Sequence, residues 1–202
     1  DIEAAIEMMR KSGQAKAAKK AGRTAAEGEV VIKHSDDGKR AAMVEVNCET
    51  DFVAKDENFT SFADAVAERV LGGSASSVEE LLGQPLHEGE DTTVKQAREA
   101  LISKIGENMN VRRFERFATG DGLLASYRHG VRIGVVVELV GGDEAMGKDI
   151  AMHVAASNPV CVSADEVPDD LLAKERDIFM AQAAESGKPE NIIEKMIEGR
   201  IR

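Results

Sequence analysis

Apolar positions recur along the chain at two spacings, and the changes between them mark the predicted elements. Spacings of three and four predict helices near residues 2–9, 59–71, 94–105, 150–156, 168–179 and 192–197. Shorter apolar runs predict strands over 30–34, 39–46, 110–117, 124–127 and 131–140. Asp37-Gly38 separates the first two strands and predicts a tight hairpin, because glycine tolerates the positive φ of such a turn.

The first predicted helix has an apolar stripe that a lone helix cannot bury. Ile2, Ile6 and Met9 belong to this stripe, and its natural partners would precede it, so we expect a piece of a longer chain. Gly13 is the expected end of this helix, since helices favour glycine at that position. The stretch 10–23 contains six basic residues and no acidic one. It lacks the aromatic side chains that single-strand binders add, which favours a solvated connector over a nucleic-acid arm.

A strand is predicted to pass into a helix around Phe52. Thr50 or Asp51 is the expected N-cap of that helix. If one helix ran unbroken from Asp51, Phe52 would lie on the same face as Phe59 and belong to the core. If the helix broke near Glu57, the ring would be exposed among polar neighbours and could contact a partner. The pattern alone leaves both interpretations open.

Three further side chains stand where a role could be assigned. Ile105 is either the last core residue of its helix or an apolar contact at the exposed end, and the sequence alone favours the core. His129 lies at the tip of the second predicted hairpin, as a turn residue or as a contact residue, since contacts concentrate at loop tips. His153 stands among apolar neighbours in a buried-looking helix and is expected to be a core residue.

Residues 142–149, Gly-Asp-Glu-Ala-Met-Gly-Lys-Asp, match the spacing of a phosphate-binding loop. Asp149 replaces the hydroxyl that such loops use to ligate magnesium, and Asp143 and Glu144 would place negative charge beside the phosphates. We therefore expect no nucleotide at this segment. The sequence also shows no arrangement of nucleophile, base and orienting group and no zinc-ligand spacing, so we predict no enzyme, no cofactor and no metal site.

Composition narrows the class of partner. The formal net charge of −11 disfavours a general affinity for nucleic acid or for an anionic membrane. Cys48 and Cys161 lie far apart in apolar surroundings, which favours two free thiols over a disulfide. No apolar run is long enough to cross a bilayer. We expect a cytoplasmic protein that binds neither membrane nor nucleic acid directly.

Residues 45–55, Glu-Val-Asn-Cys-Glu-Thr-Asp-Phe-Val-Ala-Lys, resemble the most diagnostic stretch of elongation factor Ts. That family comprises the nucleotide-exchange partners of the translational GTPase elongation factor Tu. Further blocks match in the family's order at 9–13, 17–22, 104–108, 129–135 and 150–156. The resemblance covers essentially all of the chain. The departures lie at the ends: the family begins with a small three-helix domain, of which we expect only the last helix here, and it has further sheet, helix and a C-terminal module beyond the point that matches Arg202.

The resemblance implies a guanine-nucleotide exchange factor of translation elongation that binds elongation factor Tu. It implies that the ring of Phe52 wedges between helices of the GTPase, displaces the magnesium and phosphate-binding elements, and so promotes GDP release. The contact residues that it implies are Thr50, Asp51, Phe52 and Val53, with Ile105 and His129 as further contacts.

The architecture that we expect is α+β, with antiparallel sheets and packed helices in two subdomains. Its expected segments are the last helix of a small N-terminal helical domain (1–13), a basic connector (14–25), a first core subdomain (26–119), a second and incomplete one (120–161), and an antiparallel helical hairpin (162–202). The hairpin is also where a homodimer, or a complex of two copies with two partner molecules, would form.

Overall fold

The computed structural model describes residues 2–184, together with Ile192 and Lys195. These residues form helices and antiparallel sheets, which confirms the predicted α+β class. The elements are α1 (Ile2–Lys20), β1 (Glu27–His34), β2 (Arg40–Cys48), α2 (Glu57–Gly72), α3 (Val78–Gly83), α4 (Val94–Ile105), β3 (Met109–Ala118), β4 (Leu123–His129), β5 (Ile133–Leu139), α5 (Glu144–Ser157) and α6 (Asp169–Ala184). The chain divides into two compact units, Asp1–Ala156 and Ser157–Arg202. The predicted limits of the individual subdomains stay predictions.

Strands β1, β2 and β3 form an antiparallel sheet in that order. The predicted hairpin between β1 and β2 is confirmed, with His34 opposite Ala41. Gly38 closes the turn at a φ of +66°, and its N–H donates a hydrogen bond to the Ser35 carbonyl at 2.8 Å. Local turn chemistry therefore sets the register of the first two strands.

The main core of the first unit lies between one face of this sheet and the helices packed on it. Side chains of β2 alternate between the two faces, so Val44, Val46 and Cys48 point together toward α2 and are fully buried. Phe59 and Val66 of α2 meet them there, also with no exposed surface. Burying each such side chain contributes about 1.5–3 kcal/mol. The end of β2 is thus a rigid base for the loop that follows it.

The second predicted hairpin, β4–β5, is confirmed and packs on the other face of the sheet. Gly134 of β5 lies so close to β1 that an added Cβ would stand 2.7 Å from Val30 Cγ1. The Val30 N–H donates to the Val131 carbonyl at 2.7 Å, and His34 Nε2 lies 2.8 Å from Ser126 Oγ. Only a residue without a side chain permits this close approach at position 134.

Helix α1 does not end at Gly13, so the predicted end of that helix is wrong. It continues to Lys20 and packs against α4, where Gly13 faces Ser103 with a would-be Cβ contact of 3.9 Å. Ala17, one turn further on, is buried against the core. Glycine in a helix interior costs about 1 kcal/mol, and packing of the two helices offsets this cost.

Helix α5 is more exposed than predicted. Gly147 and Ala151, one turn apart, are its buried residues among those described, and an added Cβ on Gly147 would lie 2.4 Å from the Ala125 Cβ of β4. His153 is exposed, so the prediction of a core histidine is wrong. The reason is the helical period, because position 153 falls on a different face from 147 and 151.

The second unit contains α6, which begins after Pro168 as predicted. The Pro168 carbonyl accepts hydrogen bonds from the amides of Leu171 and Leu172 at 3.0 and 3.1 Å. The predicted turn at Gly187 and the helix predicted to follow it lie outside the described residues, except for Ile192 and Lys195. The helical hairpin therefore stays a prediction.

Within the part of the chain that the structure describes, no helix combines the length and apolar character needed to span a membrane.

Candidate functional site

We refer to the loop between β2 and α2, residues 49–56, as the anchor loop. It contains a short 3-10 turn, Val53–Lys55, and ends at Asp56, whose backbone is extended. Asp56 is the N-cap of α2, because its carboxylate accepts a hydrogen bond from a first-turn amide at 2.9 Å. The prediction that Thr50 or Asp51 caps this helix is wrong, since the 3-10 turn separates both residues from it.

The side chain of Phe52 is exposed. Its relative exposure is 81%, against 0% for Phe59. Because the chain breaks before α2 begins at Glu57, Phe52 does not share the apolar face of that helix. The next two residues, Val53 and Ala54, point into the core instead. Of the two interpretations left open by the sequence, the one with an exposed ring is confirmed.

A carboxylate from the α4–β3 connection holds the base of the anchor loop. Glu107 Oε2 accepts hydrogen bonds from the amides of Glu49 and Thr50 at 3.1 and 3.0 Å. Its Oε1 accepts a third from the Thr50 hydroxyl at 2.7 Å. The Thr50 Oγ1 in turn accepts from the Val53 amide at 3.4 Å, at the start of the 3-10 turn. Thr50 is therefore tied to the Glu107 carboxylate directly, and Val53 is tied to it through Thr50.

A second carboxylate, that of Glu49 in the anchor loop, contacts the α4–β3 connection and the segment after α1. Glu49 Oε1 accepts a hydrogen bond from the Asn108 amide at 2.6 Å and lies 3.6 Å from Arg23 Nη1. Asn108 is 2% exposed, and its side-chain amide donates to the carbonyls of Arg23 and Ala21 at 2.7 and 3.4 Å. The anchor loop, the α4–β3 connection and the segment after α1 are thus joined by partly buried polar contacts.

Asp51, the residue before Phe52, presents an exposed carboxylate. Lys55 Nζ lies 3.0 Å from Asp51 Oδ2, and both side chains are exposed. The hydrogen bond from Lys55 and its charge hold the pKa of Asp51 below its usual value, and the Arg132 guanidinium acts in the same direction. Asp51 is therefore ionised at neutral pH.

Comparisons with known proteins agree with this reading of the sequence. Residues 49–202 match the family described as Elongation factor TS. The chain belongs to the elongation factor Ts family. It is similar to the Elongation factor Ts of Methylococcus capsulatus (62% identical over 201 residues) and of Thioalkalivibrio sulfidiphilus (64% over 203 residues). Each comparison covers 100% of this chain and 68% of the relative. The Elongation factor Ts of Legionella pneumophila is 58% identical over 201 residues, with the same coverage. The resemblance inferred from the sequence is confirmed.

The residues implied by the likeness to elongation factor Ts differ in their surroundings. Asp51 and Phe52 are exposed and Thr50 is half-buried, whereas the Val53 side chain is buried. The inward direction of Val53 suits support of the loop rather than contact with a partner. Ile105 is half-buried against the core, as its helical stripe favoured, and stands two residues before Glu107.

His129 is exposed at the end of β4, as predicted for a hairpin tip. Its Nδ1 lies 3.0 Å from the Tyr127 hydroxyl. The same hairpin bears Arg132, whose charge lowers the pKa of Asp51. His129 and Phe52 lie on separate elements of the first unit.

The motif that resembles a phosphate-binding loop has a packing explanation. Asp143 Oδ1 accepts a hydrogen bond from the Met146 amide at 2.8 Å, which caps the start of α5. Gly147 is required for the close approach of α5 to β4. Among the described residues, no group of three His, Cys, Asp or Glu side chains is arranged to hold a metal ion.

Sequence reasoning missed Glu107 and Asn108 as residues of this site. They follow Gly106, which ends α4 in the left-handed conformation at a φ of +94°. That glycine is a visible signal for a turn, but the partners of Glu107 lie 57 and 58 residues away in the sequence. No local pattern reports a contact of that separation.

Proposed function

We propose that this chain is a guanine-nucleotide exchange factor of translation elongation, acting in the cytoplasm. It binds elongation factor Tu and promotes GDP release by displacing the magnesium and phosphate-binding elements of that GTPase. Membership of the elongation factor Ts family supports the choice of partner. The observation on which the mechanism rests is the exposed ring of Phe52 on a loop whose two flanks are fixed.

An exposed aromatic ring on a fixed loop suits the task of a wedge. Aromatic residues dominate the binding energy of many interfaces when they enter a pocket of the partner. Val53 and Ala54 are buried directly behind Phe52, so the loop is supported where the ring would be pushed. Little backbone conformational entropy therefore remains to be lost when the ring enters a partner.

The energetics require no covalent chemistry. An exchange factor must bind the nucleotide-free GTPase more tightly than the GDP-bound form, and each ligand then weakens the other by the same factor. A single buried aromatic residue can supply about 2 kcal/mol at an interface, or roughly 30-fold in GDP affinity if it acts only in the open state. Phe52 is therefore large enough to matter, with other contacts adding to it.

The neighbouring charge has a related role. The ionised carboxylate of Asp51 belongs to the residue before Phe52, and the partner's phosphate-binding elements are positively polarised. A carboxylate brought to that place competes with the phosphates of GDP for the same donors.

Thr50 fixes the backbone of this segment, and His129 and Ile105 are proposed as further contacts from two other elements. A homodimer through the helical hairpin remains part of the proposal.

The test is release of labelled GDP from elongation factor Tu, measured with this chain and with its Phe52→Ala variant. Val140→Ala is the matched control, because Val140 is also an exposed apolar side chain, at 87%. We expect the wild type and Val140→Ala to accelerate release equally, and Phe52→Ala to lose most of the acceleration with an unchanged melting temperature. Equal acceleration by all three proteins would show that Phe52 is not the wedge.

A further inference from the structure

Glu107, in the connection between α4 and β3, is far from the anchor loop in sequence but contacts it in the structure. Its single carboxylate accepts three hydrogen bonds, from the Glu49 amide, the Thr50 amide and the Thr50 hydroxyl. The carboxylate therefore fixes both the backbone and one side chain at the start of the loop.

The geometry extends this hold to both sides of Phe52. Thr50 Oγ1 donates to Glu107 and accepts from the Val53 amide, so a chain of two hydrogen bonds runs from Glu107 to the start of the 3-10 turn. Phe52 lies between these two points. Its backbone has little freedom while both are held, although its ring stays exposed.

We infer that Glu107 is a positioning residue for nucleotide exchange, which holds the anchor loop so that the Phe52 ring is presented before the partner arrives. The inference rests on the proposed function. Glu107 need not touch elongation factor Tu for this role. It raises the fraction of free molecules whose loop is already competent to bind, and apparent affinity scales with that fraction.

The positioning role predicts a pattern that loss of a direct contact would not give. When Glu107 is replaced by Ala, the loop is ordered less often in the free chain but can still be ordered by the partner. The concentration of chain that gives half-maximal GDP release therefore rises, by about tenfold, while the maximal rate is kept. Phe52→Ala, which removes the wedge itself, lowers the maximal rate.

Geometry rather than charge is the requirement, and Glu107→Gln separates the two. The glutamine carbonyl can accept from the amides of Glu49 and Thr50. Its NH2 group can donate to the Thr50 hydroxyl, which turns to accept it. All three hydrogen bonds are then kept, so we expect Glu107→Gln to restore the half-maximal concentration to within about twofold of wild type.

The experiment titrates GDP release with the full chain and its Glu107→Ala, Glu107→Gln and Phe52→Ala variants. Glu115→Ala is the matched control, because Glu115 is an exposed carboxylate on the adjacent strand β3. A second readout uses Phe52→Trp, since the chain contains no tryptophan. We expect the anisotropy of this tryptophan to fall when Glu107→Ala is added and to be retained with Glu107→Gln.

The outcomes separate the two proposals. If Phe52→Ala impairs exchange while Glu107→Ala titrates like wild type, the positioning role is wrong and the proposed function stands. If the wild-type chain leaves GDP release unchanged, both are wrong. Should Glu107→Ala unfold, Thr50→Val tests the same contact, because it removes the hydroxyl between Glu107 and Val53 and keeps the side-chain shape. The two amide hydrogen bonds to Glu107 remain in Thr50→Val, so wild-type behaviour of this variant would overturn the part of the inference that extends from Glu107 to Val53.

Discussion

Truncating two phenylalanines only seven positions apart should change the stability of the first unit by very different amounts. Phe52 and Phe59 flank the break before α2, and their relative exposures are 81% and 0%. We expect Phe59→Ala to destabilise the first unit strongly and Phe52→Ala to leave its stability almost unchanged. The pair therefore tests whether the anchor loop breaks where the structure places the break.

The magnitudes follow from the buried area. A fully buried phenylalanine removes about 200 Å² from water, which at about 25 cal/mol per Å² amounts to roughly 5 kcal/mol as an upper estimate. Measured Phe→Ala truncations in cores cost about 3–5 kcal/mol. About one-fifth of the Phe52 surface is buried, so the same arithmetic gives about 1 kcal/mol or less.

Urea unfolding provides the assay. Tyr127 is the only tyrosine, there is no tryptophan, and Tyr127 lies on β4 of the first unit, so its fluorescence reports unfolding of that unit. With a slope of about 2 kcal/mol per molar urea, Phe59→Ala should lower the midpoint by about 1.5–2.5 M, and Phe52→Ala by about 0.5 M or less. Comparable losses for the two variants would refute the exposed position of Phe52.

Three further predictions concern residues around the same elements. Burial raises the pKa of the Cys48 thiol to about 12, so at pH 8 a thiol reagent should label only Cys161 in the native protein and both cysteines after unfolding. Rapid labelling of Cys48 in the native protein would contradict its burial. Gly134→Ala should lower the free energy of unfolding in urea by about 1–3 kcal/mol, because its Cβ would overlap Val30. Gly120→Ala is the control for the added methyl group, since a Cβ at that position meets no atom within 4 Å. Asp56→Ala should lower the free energy of unfolding by about 1 kcal/mol, because the α2 cap is lost, and Asp56→Ser should lower it much less. Equal losses for the two variants in urea unfolding would show that the hydrogen bond to the first turn of α2 contributes nothing to stability.

Local chemistry explains which elements the sequence predicted well. The two hairpins follow from apolar runs separated by turn residues, and Gly38 adopts the positive φ that its turn requires. The end of α1 could not be predicted in this way. Gly13 is a helix terminator by propensity, but packing of α1 on α4 overrides the propensity, and the sequence gives no sign of that contact.

The anchor loop shows a different reason why local sequence could not predict the structure. Thr50, Asp51 and Asp56 are all good N-caps, so local preference could not select among them. Burial of Val53 and Ala54 decides the matter, because it turns the chain inward before α2 begins. The hold of Glu107 on this loop depends on the tertiary fold and has no local signature.

The contact between Glu107 and the anchor loop also sets an order of events during synthesis. Residues 49 and 50 leave the ribosome long before residue 107, so the loop is made without the carboxylate that fixes it. Contacts of such sequence separation form late, after the entropy of closing the intervening chain has been overcome. A nascent chain therefore gains a fixed anchor loop only when α2, α4 and the start of β3 have assembled. The ordered loop is thus a mark of a completed core.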